Sequence, residues 1–217
     1  MALGPKSAAD FIPETHELKV LREAVQDCRG CALYRDATQA VFGESFGSEK
    51  SGRAFEIMMI GEQPGDKEDI AGHPFVGPAG KLLMRCLEKA EIDPDQVYVT
   101  NAVKHFKWEP RGKIRLHKKP SITEVKACKP WLEAELDAVK PKLIVCLGAT
   151  AAQSLLGPAF RVSKSRGHVQ KIANSPPIVA TVHPASLLRA PSEADRHKQT
   201  AEFIHDLRKA KEVLRDA

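Results

Sequence analysis

Short, uninterrupted apolar segments that alternate with amphipathic ones restrict the fold of this chain more than any other feature of its sequence. Four segments have the length and composition of buried strands: 55–60, 97–103, 142–147 and 178–182. Five segments have helical patterns: 15–27, 78–90, 121–139, 149–156 and 192 onwards. Because strands that are apolar on both faces need helices on both sides, the alternation predicts an α/β protein. The expected architecture is a three-layer αβα sandwich with a central, mainly parallel four-stranded sheet, formed as a single domain by residues 1–217.

The composition excludes several other classes of protein. Hydrophobic residues make up 42% and charged residues 28% of the chain, which is ordinary for a globular protein and unlike a disordered one. No segment approaches the roughly 18 consecutive apolar residues of a membrane helix, so we expect no membrane association. The first residues lack the apolar core of a signal peptide, and we expect a cytoplasmic protein. A net charge of +5 is compatible with a polyanionic partner without requiring one.

The five cysteines favour a metal site over a disulfide framework. Their number is odd, and the chain is long for a fold held together by disulfides. Cys28 and Cys31 form a C-x-x-C pair, a spacing that zinc sites and iron–sulfur clusters use. The alternative is a pair of ordinary thiols near the end of a helix.

Polar and glycine-rich segments follow the predicted strands, at the edge where parallel sheets bind their ligands. The sequence GEQPGDKEDIAGHPFVGP follows the first strand, and Asn101 lies near the end of the second. A basic segment at about 104–120, expected to be a long loop, comes next. GAT at 148–150 follows the third strand, and HPAS at 183–186 follows the fourth. Loops of this composition commonly carry function, although turn formation explains part of their glycine and proline content.

These residues resemble the uracil-DNA glycosylase superfamily. The resemblance rests on GEQPG at 61–65, Asn101 and HPAS, which occur in that order at strand ends. The N-terminal C-x-x-C, together with Cys128 at a helix start, resembles the iron–sulfur branch of the superfamily. Gln63, NAVKHFK at 101–107 and the basic insert GKIRLHKKPS at 112–121 resemble the UdgX type. The insert reads KIRLHK where a more arginine-rich form is expected, but its histidine is present. The resemblance covers about residues 11–214.

The resemblance implies a DNA-repair enzyme that flips uracil out of DNA and cleaves its bond to the sugar. His183 would stabilise the negative charge that develops on uracil O2, as an oxyanion hole does. Phe75 would lie against the uracil face, and the Asn101 amide would bind its Watson–Crick edge. Gly61 and Asp66 would complete the pocket. Each residue also has an ordinary structural alternative: His183 in a turn, Phe75 in the core and Asn101 at a strand end.

Gln63 distinguishes the expected chemistry from ordinary hydrolysis. Related glycosylases use an aspartate at this place to activate water, and an amide cannot accept that proton. In the UdgX-like interpretation His117 attacks the sugar instead, because neutral imidazole is a competent nucleophile near neutral pH. Glu62 would orient or deprotonate His117, and the product would be a covalently trapped abasic site. The alternatives are phosphate contact by His117, a protein that binds uracil-containing or abasic DNA without chemistry, and a nucleotide-binding protein that lacks the P-loop residues.

The basic insert and the segment after HPAS predict the contacts with DNA, which is expected to be single-stranded or duplex. The residues proposed for the insert are Arg111, Lys113, Arg115, Lys118 and Lys119. Those proposed for the second segment are Ser186, Leu187, Leu188 and Arg189, with a leucine entering the space that the flipped base leaves. A solvated charged face is the ordinary alternative. We expect a monomer that works at the bacterial nucleoid.

The resemblance also implies a [4Fe–4S] cluster in the N-terminal part of the domain. Cys28, Cys31 and Cys128 would supply three ligands. His105 stands where iron–sulfur relatives have a cysteine and would be the fourth, because histidine can replace thiolate on a cluster iron. A zinc ion fits the same residues. Cys86 and Cys146, in a predicted helix and strand, are expected to be core thiols.

Overall fold

The computed structural model of the protein describes residues 7–47 and 54–215. Within these ranges the strands are β1 (Glu44–Ser45), β2 (Ile57–Gly61), β3 (Val97–Asn101), β4 (Trp108–Arg111), β5 (Ile114–His117), β6 (Leu143–Leu147), β7 (Val169–Gln170) and β8 (Ile178–Thr181). The α-helices are α1 (Leu18–Ala24), α2 (Asp66–Ala71), α3 (Pro78–Lys89), α4 (Ile122–Val139), α5 (Ala149–Leu156), α6 (Val162–Ser165), α7 (Pro184–Leu188) and α8 (Glu193–Arg215). The prediction of one domain over 1–217 includes residues outside the described ranges and stays a prediction.

Six strands form the central sheet, in the order β1–β3–β2–β6–β8–β7. The four inner strands are parallel and are the four that the sequence predicts. The expected strand number is too low, because β1 and β7 extend the sheet as antiparallel edge strands. Each edge strand has two residues, which is too short for a pattern to be recognised in the sequence.

Helices cover both faces of the sheet, which confirms the predicted three-layer αβα sandwich. Successive strand residues point to opposite faces, as Met58 and Met59 do in β2. Met59 packs in a core cluster with Leu83 of α3 and Leu207 of α8. Met58 packs in a second cluster with Leu132 of α4 and with residues of α5.

The register of the parallel strands brings the polar strand ends together. Gly61, the last residue of β2, pairs with Asn101, the last residue of β3. Leu147 at the end of β6 likewise pairs with Thr181 at the end of β8. The segments that follow these residues therefore meet at one edge of the sheet, as expected.

The basic insert is a β-hairpin and not the long loop that the sequence suggests. Strands β4 and β5 pair antiparallel, from Trp108 opposite His117 to Arg111 opposite Ile114. A two-residue turn joins them, and Gly112 adopts a φ of +60° there, in the left-handed region that glycine enters at no steric cost. The hairpin escapes sequence analysis because charged residues and a proline interrupt the alternation expected of strands.

Helix α4 begins at the capping box that the sequence predicts. The Ser121 hydroxyl accepts a hydrogen bond from the Glu124 backbone N–H at 3.2 Å, and the Glu124 carboxylate accepts from the Ser121 N–H at 2.6 Å. Cys128 lies beyond the first turn of this helix and not at its start, with its side chain buried. No helix within 7–47 and 54–215 has the length and apolar character needed to cross a membrane.

Candidate active site

A cleft of about 760 Å³ opens where β2, β3, β6 and β8 end. The predicted site residues that border it are Glu62, Gln63, Asp66, Phe75, Asn101, His117, His183 and Arg189. They come from different strand ends and from the hairpin, so the fold collects them around one space. The cleft edge of the sheet is where α/β folds place their ligands.

Two glycines make room for the floor of the cleft. A Cβ on Gly61 would collide with the Asn101 amide oxygen and with the Phe75 ring. A Cβ on Gly80, in α3, would collide with the Phe75 carbonyl. Phe75 itself has a φ of +57°, which is unusual for a bulky residue and is maintained by these close contacts. The Phe75 ring is buried and stacks on the His183 ring, with centroids 6.1 Å apart.

His183 is fixed as a neutral hydrogen-bond donor. It caps the N-terminus of α7, where its Nδ1 accepts a hydrogen bond from the Ala185 backbone N–H at 3.1 Å. In neutral imidazole the proton then resides on Nε2. Burial, followed by the electrostatic effects of Arg189 and His117, lowers the pKa of His183 to about 4. The side chain can therefore donate from Nε2 at neutral pH without carrying a charge.

Glu62 and His117 lie next to each other at the cleft. His117 Nε2 lies 3.6 Å from Glu62 Oε1, and the His117 side chain is 48% exposed. The other carboxylate oxygen of Glu62 accepts a hydrogen bond from the Thr150 hydroxyl of α5. Thr150 thus fixes the carboxylate from the far side. This role was not assigned from the sequence, although the GAT segment after the third predicted strand marked the position.

Gln63 uses its amide to hold both ends of the hairpin. Its Nε2 donates to the carbonyl oxygens of Lys107 and Lys118, each at 3.1 Å. Its Oε1 accepts from the Lys107 backbone N–H, also at 3.1 Å. Lys107 precedes β4 and Lys118 follows β5, directly after His117. Gln63 is buried, and its position explains how the hairpin is set beside the cleft.

Arg115 anchors the hairpin to α2. Its guanidinium pairs with Asp66 and with Asp69, each at 2.6 Å. The guanidinium carbon also lies 5.4 Å from the centre of the Phe106 ring and 5.5 Å from that of Trp108. The expectation that Arg115 contacts phosphate therefore loses its basis, because two carboxylates already compensate its charge. Asp66 likewise acts here as a partner of Arg115.

Helix α7 places its two leucines differently from the sequence-based expectation. Leu187, predicted to contact DNA, is 1% exposed and packs in the core. Leu188 is 38% exposed and borders the cleft, next to Arg189. One step along a helix rotates a side chain by about 100°, so neighbouring residues face different surroundings. Ser186 donates its hydroxyl to the His183 carbonyl at 2.7 Å and supports the turn of α7.

The other basic residues predicted to bind DNA lie on the outside of the hairpin. Arg111, Lys113, Lys118 and Lys119 are exposed. Lys118 forms an exposed ion pair with Glu109 at 3.0 Å. Leu116, which the sequence analysis did not select, is also exposed and borders the cleft.

The proposed metal ligands lie in one region beside the hairpin. Cys28 and Cys128 are buried in one core cluster, and Cys31 packs against it. Burial raises the pKa of the Cys128 thiol to about 12, and the two other thiols add to this effect. Burial, followed by the charge of Arg29, lowers the pKa of His105 to about 4.

The four proposed ligands do not form a closely spaced group. Within 7–47 and 54–215, no three His, Cys, Asp or Glu side chains are arranged to bind a metal ion. The three thiols and the imidazole nevertheless suit an iron–sulfur cluster, which is larger than a single metal ion. The thiols are close enough to influence one another electrostatically. The buried indole N–H of Trp131, in the same core cluster, has no hydrogen-bond partner among the described residues. Cys86 and Cys146 are buried in the two main core clusters, which confirms that they are core thiols.

Comparison with known proteins places the chain in a family. The model of the uracil DNA glycosylase superfamily matches residues 50–208. A type-4 uracil-DNA glycosylase of Sulfurisphaera tokodaii is 37% identical over 183 residues, which cover 81% of this chain and 77% of that protein. The type-4 enzyme of Archaeoglobus fulgidus is 34% identical, with coverage of 87% and 91%. That of Thermotoga maritima is 32% identical, with coverage of 91% and 95%. Since the matches span most of each chain and include the cleft described above, this protein belongs to the uracil-DNA glycosylase superfamily.

Proposed function

We propose that this protein excises uracil from DNA and captures the resulting abasic site covalently through His117, as the UdgX type of the superfamily does. The observation that carries the proposal is the convergence of His117, Glu62 and His183 on one cleft. His183 is a neutral donor for the leaving base, and the Glu62–His117 pair is on the hairpin side of the same space.

The bond between the sugar C1′ and uracil N1 breaks first. Its electron pair leaves with the base, and the negative charge that reaches uracil O2 accepts a hydrogen bond from His183 Nε2. Phe75 lies against the base, and Asn101 binds its edge. The sugar is left as an oxocarbenium ion.

His117 then completes the reaction in place of water. One imidazole nitrogen forms a bond with C1′, and the imidazolium that results releases its remaining ring proton, with the Glu62 carboxylate as the adjacent base. Gln63 cannot accept a proton from water, and its amide is occupied by the hairpin. These features favour capture over ordinary hydrolysis.

The second candidate function is recognition of uracil-containing or abasic DNA without chemistry. Gln63 favours this alternative, because its amide cannot activate water as a carboxylate at that position would. The two functions differ in whether a bond to DNA survives denaturation.

The test compares wild type with His117→Ala on one uracil oligonucleotide, resolved on a denaturing gel. We expect a shifted band for wild type without borohydride, and none for His117→Ala, which instead releases some uracil as water reaches C1′. His197→Ala, which removes an exposed histidine of α8 that does not border the cleft, is the matched control and should keep the band. A band of wild-type yield in His117→Ala would contradict the proposal. Dependence of that band on borohydride would point to a Schiff base with Lys118 or Lys119.

DNA contacts are proposed for exposed residues of the hairpin region and for residues of the α7 segment beside the cleft. The basic ones are Arg111, Lys113, Lys118 and Arg189. Ser186 is proposed to contact the DNA backbone. Of the two leucines, Leu188 is proposed for the apolar role, because Leu187 is buried in the core. Arg115 is not included, because it is paired with Asp66 and Asp69. A monomeric state and a location at the nucleoid stay predictions.

A [4Fe–4S] cluster is proposed to bind Cys28, Cys31, Cys128 and His105, with zinc as the alternative. When bound, such a group would join the N-terminal segment to α4 and contribute to folding without taking part in bond cleavage. The test measures iron, sulfide and zinc together with the melting temperature in wild type and Cys31→Ala. Cys146→Ala, at a buried thiol in a different cluster, is the control and should keep its metal. Full metal content in Cys31→Ala would show that the ligand assignment is wrong.

A further inference from the structure

A fully buried ion pair lies behind the Asn101 end of β3 and has no part in the chemistry proposed above. Lys104 Nζ contacts a carboxylate oxygen of Glu135 in α4, and both side chains are 0% exposed. A buried charge is costly unless it is paired and its hydrogen-bonding capacity is used. The partners of this pair therefore indicate what it holds in place.

The Lys104 ammonium uses its donors at the end of β3. It donates to the Thr100 hydroxyl and to the Asn101 carbonyl oxygen, each at 2.7 Å, in addition to Glu135. The backbone of the same residue is fixed as well, because the Lys104 N–H donates to Cys128 Sγ at 3.3 Å. Lys104 thus folds back onto the residue three positions before it.

Glu135 ties the ammonium to the rest of the sheet. One of its oxygens accepts from the Gly43 backbone N–H at 2.9 Å and from the Tyr98 hydroxyl at 3.1 Å. The Thr100 hydroxyl lies 2.8 and 2.9 Å from the two carboxylate oxygens. Burial and the charge of Glu135 raise the pKa of Tyr98 well above its ordinary value, so Tyr98 remains a donor.

The Asn101 side chain depends on this backbone placement. Asn101 is 3% exposed, borders the cleft and packs on the bare face of Gly61. The next two residues keep the sheet register, with the Ala102 N–H donating to Gly61 O at 3.0 Å and the Val103 N–H to Glu62 O at 3.1 Å. The hydrogen bond from Lys104 to the Asn101 carbonyl therefore connects the buried ion pair to a residue that borders the cleft.

We infer that Lys104 and Glu135 are positioning residues for base recognition, which hold the Asn101 carbonyl so that the Asn101 amide meets the edge of uracil in a fixed orientation. The inference rests on the proposed role of Asn101 in uracil binding. Misplacement of a recognition group by a fraction of an ångström lowers the rate of reaction because the base no longer sits correctly.

The experiment is a mutant cycle on uracil release under single-turnover conditions, which gives a maximal rate and a half-saturating protein concentration. Lys104→Met/Glu135→Gln removes both charges, while the glutamine keeps an acceptor for Gly43 and Tyr98. This pair variant is combined with Asn101→Ala. Leu207→Ala, in the core on the other face of the sheet, is a destabilised control matched by melting temperature. Thr100→Val, which removes one partner of Lys104, serves as a milder second variant if the pair variant does not fold.

We expect the pair variant to lower the ratio of maximal rate to half-saturating concentration at least tenfold. The same change should have less than a threefold effect when Asn101 is already alanine, because the pair acts through the asparagine. Thr100→Val should show a smaller loss that also disappears in Asn101→Ala, whereas the loss in Leu207→Ala should stay the same in both backgrounds.

Losses that simply add in the cycle would overturn the inference and leave the proposed function intact. Unchanged uracil release by Asn101→Ala alone would overturn both the inference and the role of Asn101. An inactive wild type would contradict the proposed function itself.

Discussion

His183 gains its properties from its position at the first turn of α7. The Ala185 N–H occupies one ring nitrogen, and burial keeps the other in its neutral, proton-carrying form. A donor that needs no ionisation is suited to a leaving group whose charge appears only as the bond breaks.

The lowered pKa of His183 predicts a pH-dependent stability. The folded pKa is about 4, whereas an unfolded histidine titrates near about 6.5. Above pH 6.5 both states are neutral and the stability is complete. As the pH falls from about 6.5 toward about 4 the unfolded chain binds the proton first, so the free energy of unfolding decreases, by about 2 kcal/mol at pH 5.

Urea unfolding of wild type and His183→Asn at pH 7.5 and pH 5 tests this expectation. Asparagine keeps an N-cap acceptor but does not titrate. The pH-dependent loss should therefore be about 2 kcal/mol smaller in the variant. Equal losses in both proteins would show that His183 does not have the lowered pKa.

Single residues were predictable from the sequence where a strand end specified them. Asn101 and His183 follow from the order of the motifs, because parallel strands end at a common edge. Which of Leu187 and Leu188 is exposed could not be predicted, since it depends on the rotation of a five-residue helix that the sequence does not reveal. The commitment of Arg115 to two carboxylates depends on tertiary contacts between distant segments, so sequence analysis alone could not detect it.

Among the elements, α7 offers a direct comparison between neighbouring side chains. Leu187→Ala should lower the free energy of unfolding by about 2–5 kcal/mol, because it leaves a cavity in the core. Leu188→Ala should change stability by less than about 0.5 kcal/mol but weaken binding to uracil-containing duplex DNA. Chemical denaturation and a binding titration of both variants provide the measurement. Weaker DNA binding by Leu187→Ala alone, at a temperature where it is fully folded, would argue against the exposed leucine.

The hairpin formed by β4 and β5 depends on Gln63. Gln63→Ala removes three hydrogen bonds to the hairpin ends, while the Lys118 N–H still donates to the Lys107 carbonyl, so the local cost should be about 1 kcal/mol. Because His117 lies at one of those ends, we expect the rate of covalent capture to fall about tenfold or more, while uracil release persists. Rapid-quench samples on denaturing gels, with uracil measured in parallel, separate the two steps.

The control for this prediction is Gln153→Ala. The Gln153 amide also donates to a backbone carbonyl, that of Phe160, at 3.0 Å, but it does not contact the hairpin. Its capture rate should equal that of wild type. A parallel fall of capture and uracil release in Gln63→Ala would indicate a general loss of structure instead of a displaced nucleophile.

Some helices and strands could be predicted from the sequence and others could not. The helices α3, α4 and α5 agree with their predicted bounds to within one residue, because each has a clear start signal or periodicity. The hairpin and the short helices α2, α6 and α7 were missed. Their few residues form too little of a pattern, and contacts such as those of Gln63 stabilise them instead.

For the molecule as a whole, the arrangement of charge predicts how DNA binding responds to salt. The proposed contacts are three exposed residues in and next to the hairpin, Arg111, Lys113 and Lys118, and the exposed Arg189, which borders the cleft. With about 0.9 counterions released per phosphate of duplex DNA, the logarithm of the binding constant should fall with the logarithm of salt concentration at a slope of about −3 to −4. Lys113→Ala should reduce the slope by about 1.

Fluorescence titrations over a range of salt concentrations measure this slope. Lys142→Ala is the control, because Lys142 precedes β6 at the end of the sheet opposite the cleft. It should leave the slope unchanged. A slope near zero for wild type would mean that these four residues do not bind phosphates.

The layered architecture was the most predictable property at this scale. Continuous apolar strands require cover on both faces, so the αβα arrangement follows from the pattern alone. The two edge strands do not, because their pairing is decided by neighbours and not by their own two residues. The spacing of the cysteines does not identify the group that binds near Cys28, since zinc and an iron–sulfur cluster accept the same side chains.

The three hydrogen bonds of Gln63 also restrict the evolutionary history open to this protein. An aspartate at that position could activate water, but its carboxylate has no N–H to donate to the Lys107 and Lys118 carbonyls, so the hairpin would lose these hydrogen bonds in the same step. A lineage that moves between capture and hydrolysis therefore has to replace these hydrogen bonds before, or together with, this residue. Variants that have only the aspartate substitution should be poor at both reactions. The order in which the substitutions occur therefore matters more than their number.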